Sequence, residues 1–395
     1  MKVVVSGYYG FDNAGDEAVL AAIVAALRHE CPAVRPVVLS GNPERTAARH
    51  GVEAVPRLSP AAVRKALRGA ALFVSGGGTL LQDLTGWGSV PYYGGLMLLA
   101  RRLGVPVFVW AQGIGPLRRA ALRRLAGRAL AAADEVTVRD EASASLALEL
   151  GVAPERVRLA ADPVFALAGC VPAVAGRAPA RVAGVLVGKD GVSEGARRLL
   201  ASLPDEPLLG VSLRPLPGER AEPNGDRAAA EATAGALAGC LARLGARAVP
   251  LPFHPPQDGP RLEALAAALG PHAVPWPGDV SPAAFSAVDW LALLGRLEMV
   301  LTMRLHGLIF AACAGVPFVA VGSDPKLAAH VAELGLPRWP FLLTDGPDAL
   351  PEALAAVWRE RTRWQDVITA GALRLRARAL AAAGRAVALA KGAVA

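Results

Sequence analysis

Lysine is scarce in this chain. Among 42 basic residues only five are Lys, at positions 2, 65, 189, 326 and 391, so cationic character here means guanidinium, the better fork for carboxylates and phosphates. Cysteine is scarce too. Cys31, Cys170, Cys240 and Cys313 show no paired spacing, which excludes a zinc ribbon or a secreted disulfide framework and reads as small buried thiols in a reducing compartment. Aromatic residues make up 5% of the sequence and leave few stacking platforms for bases, so the basic balance does not argue for a nucleic-acid partner. Long apolar runs are missing. A long uncharged stretch, 307–323, is interrupted by Gly315-Val316-Pro317 and reads as helix, turn and strand rather than a membrane span. Met1-Lys2 leads straight into Val3-Val4-Val5 without the apolar region and cleavage site of a signal peptide, so a cytoplasmic location is expected.

What is present is a large potential core. The chain has 395 residues, 53% hydrophobic and 19% charged, with a net charge of +8; this suits two ordered domains and an anionic ligand or surface. Short β-branched runs alternate with Ala-, Leu- and Arg-rich stretches of helical length, the pattern of βα units building a parallel sheet. Strands are predicted near Val3–Ser6, Arg35–Leu39, Leu72–Ser75, Val105–Trp110, Glu135–Val138 and Val157–Ala160. A second series runs through Leu208–Leu213, Ala248–Phe253, Met299–Leu301 and Phe318–Val321. The expected architecture is therefore α/β: two Rossmann-like domains facing a cleft, over 1–170 and 208–365, joined by a Gly- and Pro-rich linker at 171–207. Residues 366–395 should form an Ala-rich amphipathic helix carrying Arg374, Arg376, Arg378 and Arg385. Packing across both domains is one reading of it; contact with anionic lipid headgroups is the other.

Polar residues and glycines follow the carboxyl ends of the predicted strands, where open α/β sheets hold ligands. The first turn, Ser6-Gly7-Tyr8-Tyr9-Gly10-Phe11-Asp12-Asn13-Ala14-Gly15-Asp16, fits neither a dinucleotide fingerprint nor a P-loop. Its glycines permit close backbone approach, and the free N–H groups of the following helix favour an anion or sugar oxygen. Gly10, Asp12, Asn13 and Asp16 are candidates there. Ser75-Gly76-Gly77-Gly78 and Gln112-Gly113-Ile114-Gly115-Pro116 follow two further strands, adding Gly77, Gly78 and Gln112 to an expected ligand floor. Arg139-Asp140 ends another strand, where a helix-capping ion pair and a ligand contact are equally plausible. In the second half, Met303-Arg304-Leu305-His306-Gly307 places Arg304 and His306 two residues apart, facing the same way if the segment is extended. Arg214 ends a neighbouring strand, Lys326 follows the next, and His254, Gln257 and Asp258 sit in a Pro-rich turn that reads as a ligand contact or as plain loop polarity.

Taken in order, Gly7-Tyr8-Tyr9-Gly10, Asn13-Ala14-Gly15-Asp16-Glu17, Ser75-Gly76-Gly77-Gly78, Gln112-Gly113-Ile114-Gly115-Pro116, Arg139-Asp140, Asp162-Pro163, Ser212-Leu213-Arg214 and Met303-Arg304-Leu305-His306-Gly307 resemble the polysaccharide pyruvyltransferase family. The CsaB-type branch, which acts on a secondary cell-wall polysaccharide that anchors S-layer proteins, is nearest in look. The resemblance implies a GT-B-like fold, phosphoenolpyruvate as co-substrate, no metal or other cofactor, and a lipid-linked saccharide acceptor, with N-acetylmannosamine as the pyruvylated sugar. It also implies peripheral contact with the inner face of the cytoplasmic membrane. By the same carry-over Arg139, Arg214 and Lys326 bind the donor, Arg304 and His306 are catalytic, and the turn residues named above bind the acceptor.

The chemistry suits these residue types. Phosphoenolpyruvate carries a carboxylate and a phosphate, each matched by a guanidinium fork. Ketal formation needs a proton on the methylene carbon, which is assigned to His306. A helix start disfavours imidazolium and a bound dianion favours it, so donor binding would switch the acid on. Asp12 or Asp16 would accept the acceptor hydroxyl's proton or only hold the sugar. The competing readings are a sugar-nucleotide-dependent GT-B glycosyltransferase and a non-catalytic saccharide-binding protein.

Overall fold

Val3, Val4 and Val5 are fully buried in β1 (Lys2–Ser6), as a strand covered on both faces of a parallel sheet requires. The computed structural model of the chain describes residues 1–84, 86–170, 191–215, 225–344 and 347–392. These divide into two compact units: Met1–Phe11, Asp16–Ala166 and Leu375–Ala395 form unit 1, while Asp12–Gly15 and Leu167–Arg374 form unit 2. Most of the expected linker, and the Val-rich segment 182–187 within it, lies outside the described residues.

Unit 1 continues with β2 (Arg35–Ser40), β3 (Glu53–Pro56), β4 (Leu72–Ser75), β5 (Gly78–Leu81), β6 (Val107–Ile114), β7 (Glu135–Val138) and β8 (Val157–Leu159). They join β1 in one parallel sheet of order β3-β2-β1-β4-β6-β7-β8, with β5 added beside β6. Helix Ala14–Glu30 buries Ala18, Val19, Leu20, Ala22 and Ile23 completely. Its Asp16 and Glu17 sit in the first turn and Arg28 and His29 in the last, which complements the helix dipole at both ends.

Unit 2 holds β9 (Leu208–Ser212), β10 (Arg247–Pro250), β11 (Met299–Thr302), β12 (Phe318–Val321) and β13 (Leu342–Leu343) in the order β10-β9-β11-β12-β13, again all parallel. Its core includes an aromatic cluster in which Phe253 stacks on Phe310 (5.6 Å between centroids) and lies 4.6 Å from Trp290.

Every predicted strand is present. Three others were not anticipated: β3 is four residues ending in Pro56 with no fully buried position, β5 leaves the glycine turn at once, and β13 is two residues long. None offers enough alternating apolar residues to register as a pattern. The C-terminal helix is longer than expected, Arg361–Gly392, and buries Ile368, Ala372, Leu375, Ala379, Ala383 and Ala386. Two of its cations are engaged within unit 1: Arg378 donates to the Ala160 carbonyl and Arg385 pairs with Glu135. Among the described residues no helix is long and apolar enough to cross a membrane.

Candidate functional site

The strand order of unit 2 reverses between β9 and β11, the switch point at which open α/β sheets place ligands. Arg214 follows the end of β9 and Arg304 the end of β11. Together with Asn13, His306, Asp324 and the apolar Phe253 and Leu327, they line a pocket of about 130 Å³. Lys326 is half-buried between Asp324 and Leu327 on helix Pro325–Glu333, whose start is capped by Asp324 Oδ1 accepting the Lys326 backbone N–H at 3.0 Å.

Arg304 and His306 share this pocket by a different local route from the extended segment expected. Arg304 is extended (φ −98°, ψ 129°), but it is the residue before helix Leu305–Cys313, and His306 belongs to the first helical turn. The buried Thr302 hydroxyl makes the turn, accepting the Arg304 N–H and donating to the Arg304 carbonyl, both at 3.0 Å. Gly307 allows it, since a Cβ there would lie 2.3 Å from Thr302 Oγ1.

The Pro-rich turn after β10 supplies what sets Arg304. Asp258, 0% exposed, accepts from Arg304 Nε at 3.1 Å and also from Nη2 through Oδ1, while its Oδ2 accepts the His254 backbone N–H at 2.9 Å. Gln257 Oε1 accepts from Nη2 at 3.2 Å. These bonds fix the guanidinium plane through Nε and Nη2. Beside it, burial and the nearby Arg304 charge lower the pKa of Arg214, with Asp324 and Asp258 opposing them. Its Nε is buried and has no hydrogen-bond partner among the described residues, whereas its carbonyl is held by Arg261 Nη1 at 2.9 Å. Two guanidinium groups close together and a buried guanidinium donor are both charge patterns that an anion stabilises.

Asn13, Ala14 and Gly15 also belong to unit 2. The first two amides of helix Ala14–Glu30 are not open to a ligand, because Ala14 N–H donates to the Phe253 carbonyl at 2.7 Å and Gly15 N–H to Asn13 Oδ1 at 3.1 Å. The preceding Asp12 has φ 59°, a left-handed conformation that Asp tolerates better than most residues.

In unit 1 the glycine turns are filled largely by the protein's own side chains. A Cβ on Gly7 would lie 2.3 Å from Tyr9 Cζ and one on Gly76 2.2 Å from the Tyr9 hydroxyl oxygen; one on Gly77 would meet Val19 and Pro163, and one on Gly113 would meet Arg139 and Thr79. Gln112 is completely buried and its amide donates to Ser75 Oγ (2.6 Å) and the Gly76 carbonyl (2.9 Å), tying two turns together. Arg139, 1% exposed, donates to Asp162 (3.1 Å) and Thr79 (2.9 Å). It therefore lies in unit 1, while Arg214, Arg304, His306 and Lys326 lie in unit 2. Gly78 (φ +88°) sets its Cα beside Asp16, and Asp16 raises the pKa of Tyr8 and Tyr9 after the larger effect of burial.

Gly10 (φ +82°) is held by a residue that sequence reading passed over. Its N–H donates to Glu17 Oε1 at 2.8 Å, and Glu17 Oε2 pairs with His50 Nε2 at 2.8 Å. Burial pushes the Glu17 carboxyl up, but the His50 hydrogen bond and charge, the Gly10 N–H and Arg49 outweigh it and leave the pKa lowered. A lowered pKa contributes stability that is present above the unfolded-state value, about 4.3, and is lost as pH falls through the folded value. Glu17→Gln should cost about 1.5–3 kcal/mol at neutral pH. Thermal melts of both proteins between pH 3 and 7 should show their difference shrinking in acid.

The profile of the family described as polysaccharide pyruvyl transferase matches residues 13–325, a span from Asn13 in the pocket to the start of the helix that carries Lys326. The chain belongs to the polysaccharide pyruvyl transferase family. Its members are transferases with a saccharide acceptor. No functionally curated protein matches the sequence. Among solved structures, a glycosyltransferase from Rickettsia africae is similar with a TM-score of 0.60 at 10% identity, covering 100% of this chain and 98% of that one. HepE of Anabaena, in complex with UDP and glucose, has a TM-score of 0.58 at 13% identity, with 98% of each chain covered. The UDP-GlcNAc 2-epimerase of Neisseria meningitidis, bound to UDP-GlcNAc, has a TM-score of 0.56 at 11% identity, with 93% and 94% covered. At these identities the likeness establishes the fold, which is GT-B-like, with two α/β units each built on a parallel sheet.

Proposed function

We propose that the chain transfers the pyruvate unit of phosphoenolpyruvate onto a sugar of a lipid-linked cell-envelope polysaccharide precursor, forming a pyruvate ketal and releasing phosphate. N-acetylmannosamine of a secondary cell-wall polymer, pyruvylated for S-layer anchoring as in the CsaB-type branch, is the acceptor this reading favours. One observation carries it. A pocket of about 130 Å³ collects the unspent buried Arg214 Nε–H, the fixed Arg304 guanidinium and the His306 imidazole. That volume is well below the roughly 300 Å³ at which pockets for drug-sized ligands begin, and it suits a small dianion better than a sugar nucleotide.

In this reading Arg214 and Arg304 hold the carboxylate and phosphate, with Lys326 at the adjacent helix start adding charge. His306 gives a proton to the methylene carbon, which becomes the methyl group, while the neighbouring carbon gains cationic character and forms bonds to two sugar oxygens. Of the two hydroxyl protons lost by the sugar, one balances the proton delivered to carbon and the other leaves on phosphate. Asp16, among the phenols of Tyr8, Tyr9 and Tyr93, and Asp12 are the carboxylates proposed to hold the acceptor or take its proton. The reaction needs no group that the two substrates and these residues do not supply.

The test is donor choice. Incubation of the protein with phosphoenolpyruvate and a synthetic lipid-diphosphate amino-sugar disaccharide should release inorganic phosphate and add the mass of one ketal-linked pyruvate. Release of nucleotide from a sugar nucleotide, with phosphoenolpyruvate left intact, would instead favour the competing reading of a sugar-nucleotide-dependent glycosyltransferase.

A further inference from the structure

Gly15 is the second residue of helix Ala14–Glu30 and is buried. Its φ lies outside the left-handed region, so the backbone there does not require glycine, and alanine is the better helix former. The reason for glycine is spatial. A Cβ at this position would stand 2.2 Å from His306 Nδ1, 2.4 Å from Cγ and 2.8 Å from Cβ. Because the contact reaches down to His306 Cβ, the near end of the side chain, a small ring rotation does not relieve it. Nor can the helix start withdraw cheaply, since Ala14 N–H is bonded to the Phe253 carbonyl at 2.7 Å and Asn13 Oδ1 caps the Gly15 N–H at 3.1 Å.

We infer that Gly15 is a positioning residue whose missing side chain forms the seat of the His306 imidazole and sets its direction into the anion pocket. This rests on the reading of His306 as proton donor, but the seat can be tested without it. Asn13 lines the same pocket, so the segment before the helix both borders the ligand space and supports the ring beside it. Displacement of a reacting group by about 1 Å costs on the order of 100-fold in rate.

The test is Gly15→Ala, read in three ways. The sequence contains six histidines, so the imidazole NMR signals of His306 can be assigned by their loss in His306→Ala. In Gly15→Ala those signals should move, kcat should fall about 100-fold with KM for phosphoenolpyruvate changed far less, and the melting temperature should drop. In the double variant Gly15→Ala/His306→Ala the drop should be recovered, because the clash is gone, and activity should stay within about twofold of His306→Ala alone. Unmoved ring signals would overturn the seat, and so would a double variant no more stable than Gly15→Ala. Moved signals with unchanged kcat would overturn its catalytic importance. A wild-type protein that turns over no phosphoenolpyruvate would remove the proposed function while the ring signals and melts still decide the seat.

Discussion

His306→Ala is expected to lower kcat by about 10²- to 10⁴-fold, the range lost when a positioned proton donor is removed, while leaving the fold in place. Three features make the imidazole the group to remove. It lines the small pocket beside Arg214 and Arg304, its backbone is set by the Thr302 turn and the first turn of helix Leu305–Cys313, and its ring rests on Gly15. It is half-buried and lines the pocket, so truncation widens that pocket rather than leaving a sealed core cavity. The melting temperature should change little, and the pH dependence of kcat should lose the limb that this imidazole contributes. Binding of phosphoenolpyruvate should survive within a few fold, since the guanidinium groups remain. Near-normal turnover in the variant would exclude His306 as the proton source.

Asp258→Ala should damage stability and binding together. The carboxylate is 0% exposed and the Arg304 side chain only 15%, so the pair is largely desolvated, and deleting one member of such a pair costs about 3–5 kcal/mol. For units of 150–250 residues that corresponds to roughly 6–20 °C in melting temperature. The loss has two parts. Arg304 loses both bonds to Oδ1, and the His254 N–H loses its acceptor. With the plane of Arg304 free to swing, KM for phosphoenolpyruvate should rise more than kcat falls. Asp258→Asn keeps one acceptor oxygen, so it should recover much of the stability but less of the affinity. If Asp258→Ala melts within 2 °C of the parent and keeps its KM, the carboxylate is not what holds Arg304.

How far these features were legible depends on the range of the interaction. Most strands of both sheets announce themselves through uninterrupted runs such as Val3-Val4-Val5 and Phe318-Val319-Ala320-Val321, because burial on both faces selects β-branched and apolar residues locally. Arg214, Arg304 and His306 could be picked out because each follows such a run. Asp258 could not. It lies 46 residues from Arg304 in sequence, and a carboxylate in a Pro-rich turn looks the same whether it faces water or a buried guanidinium. The glycine turns show a related limit: that Gly7 and Gly76 make room for the phenol of Tyr9 follows from packing that no local pattern reveals.

Residue order alone therefore settled the α/β class, the positions of the longer strands and the family, since these follow from local periodicity and from short motifs at strand ends. Tertiary structure alone decided which cations share a pocket. It put Arg139 against Asp162 in one unit and gathered Arg214, Arg304 and His306 in the other. The reason is physical: a guanidinium looks alike in any sequence, and which groups it meets depends on which strand ends the fold brings side by side.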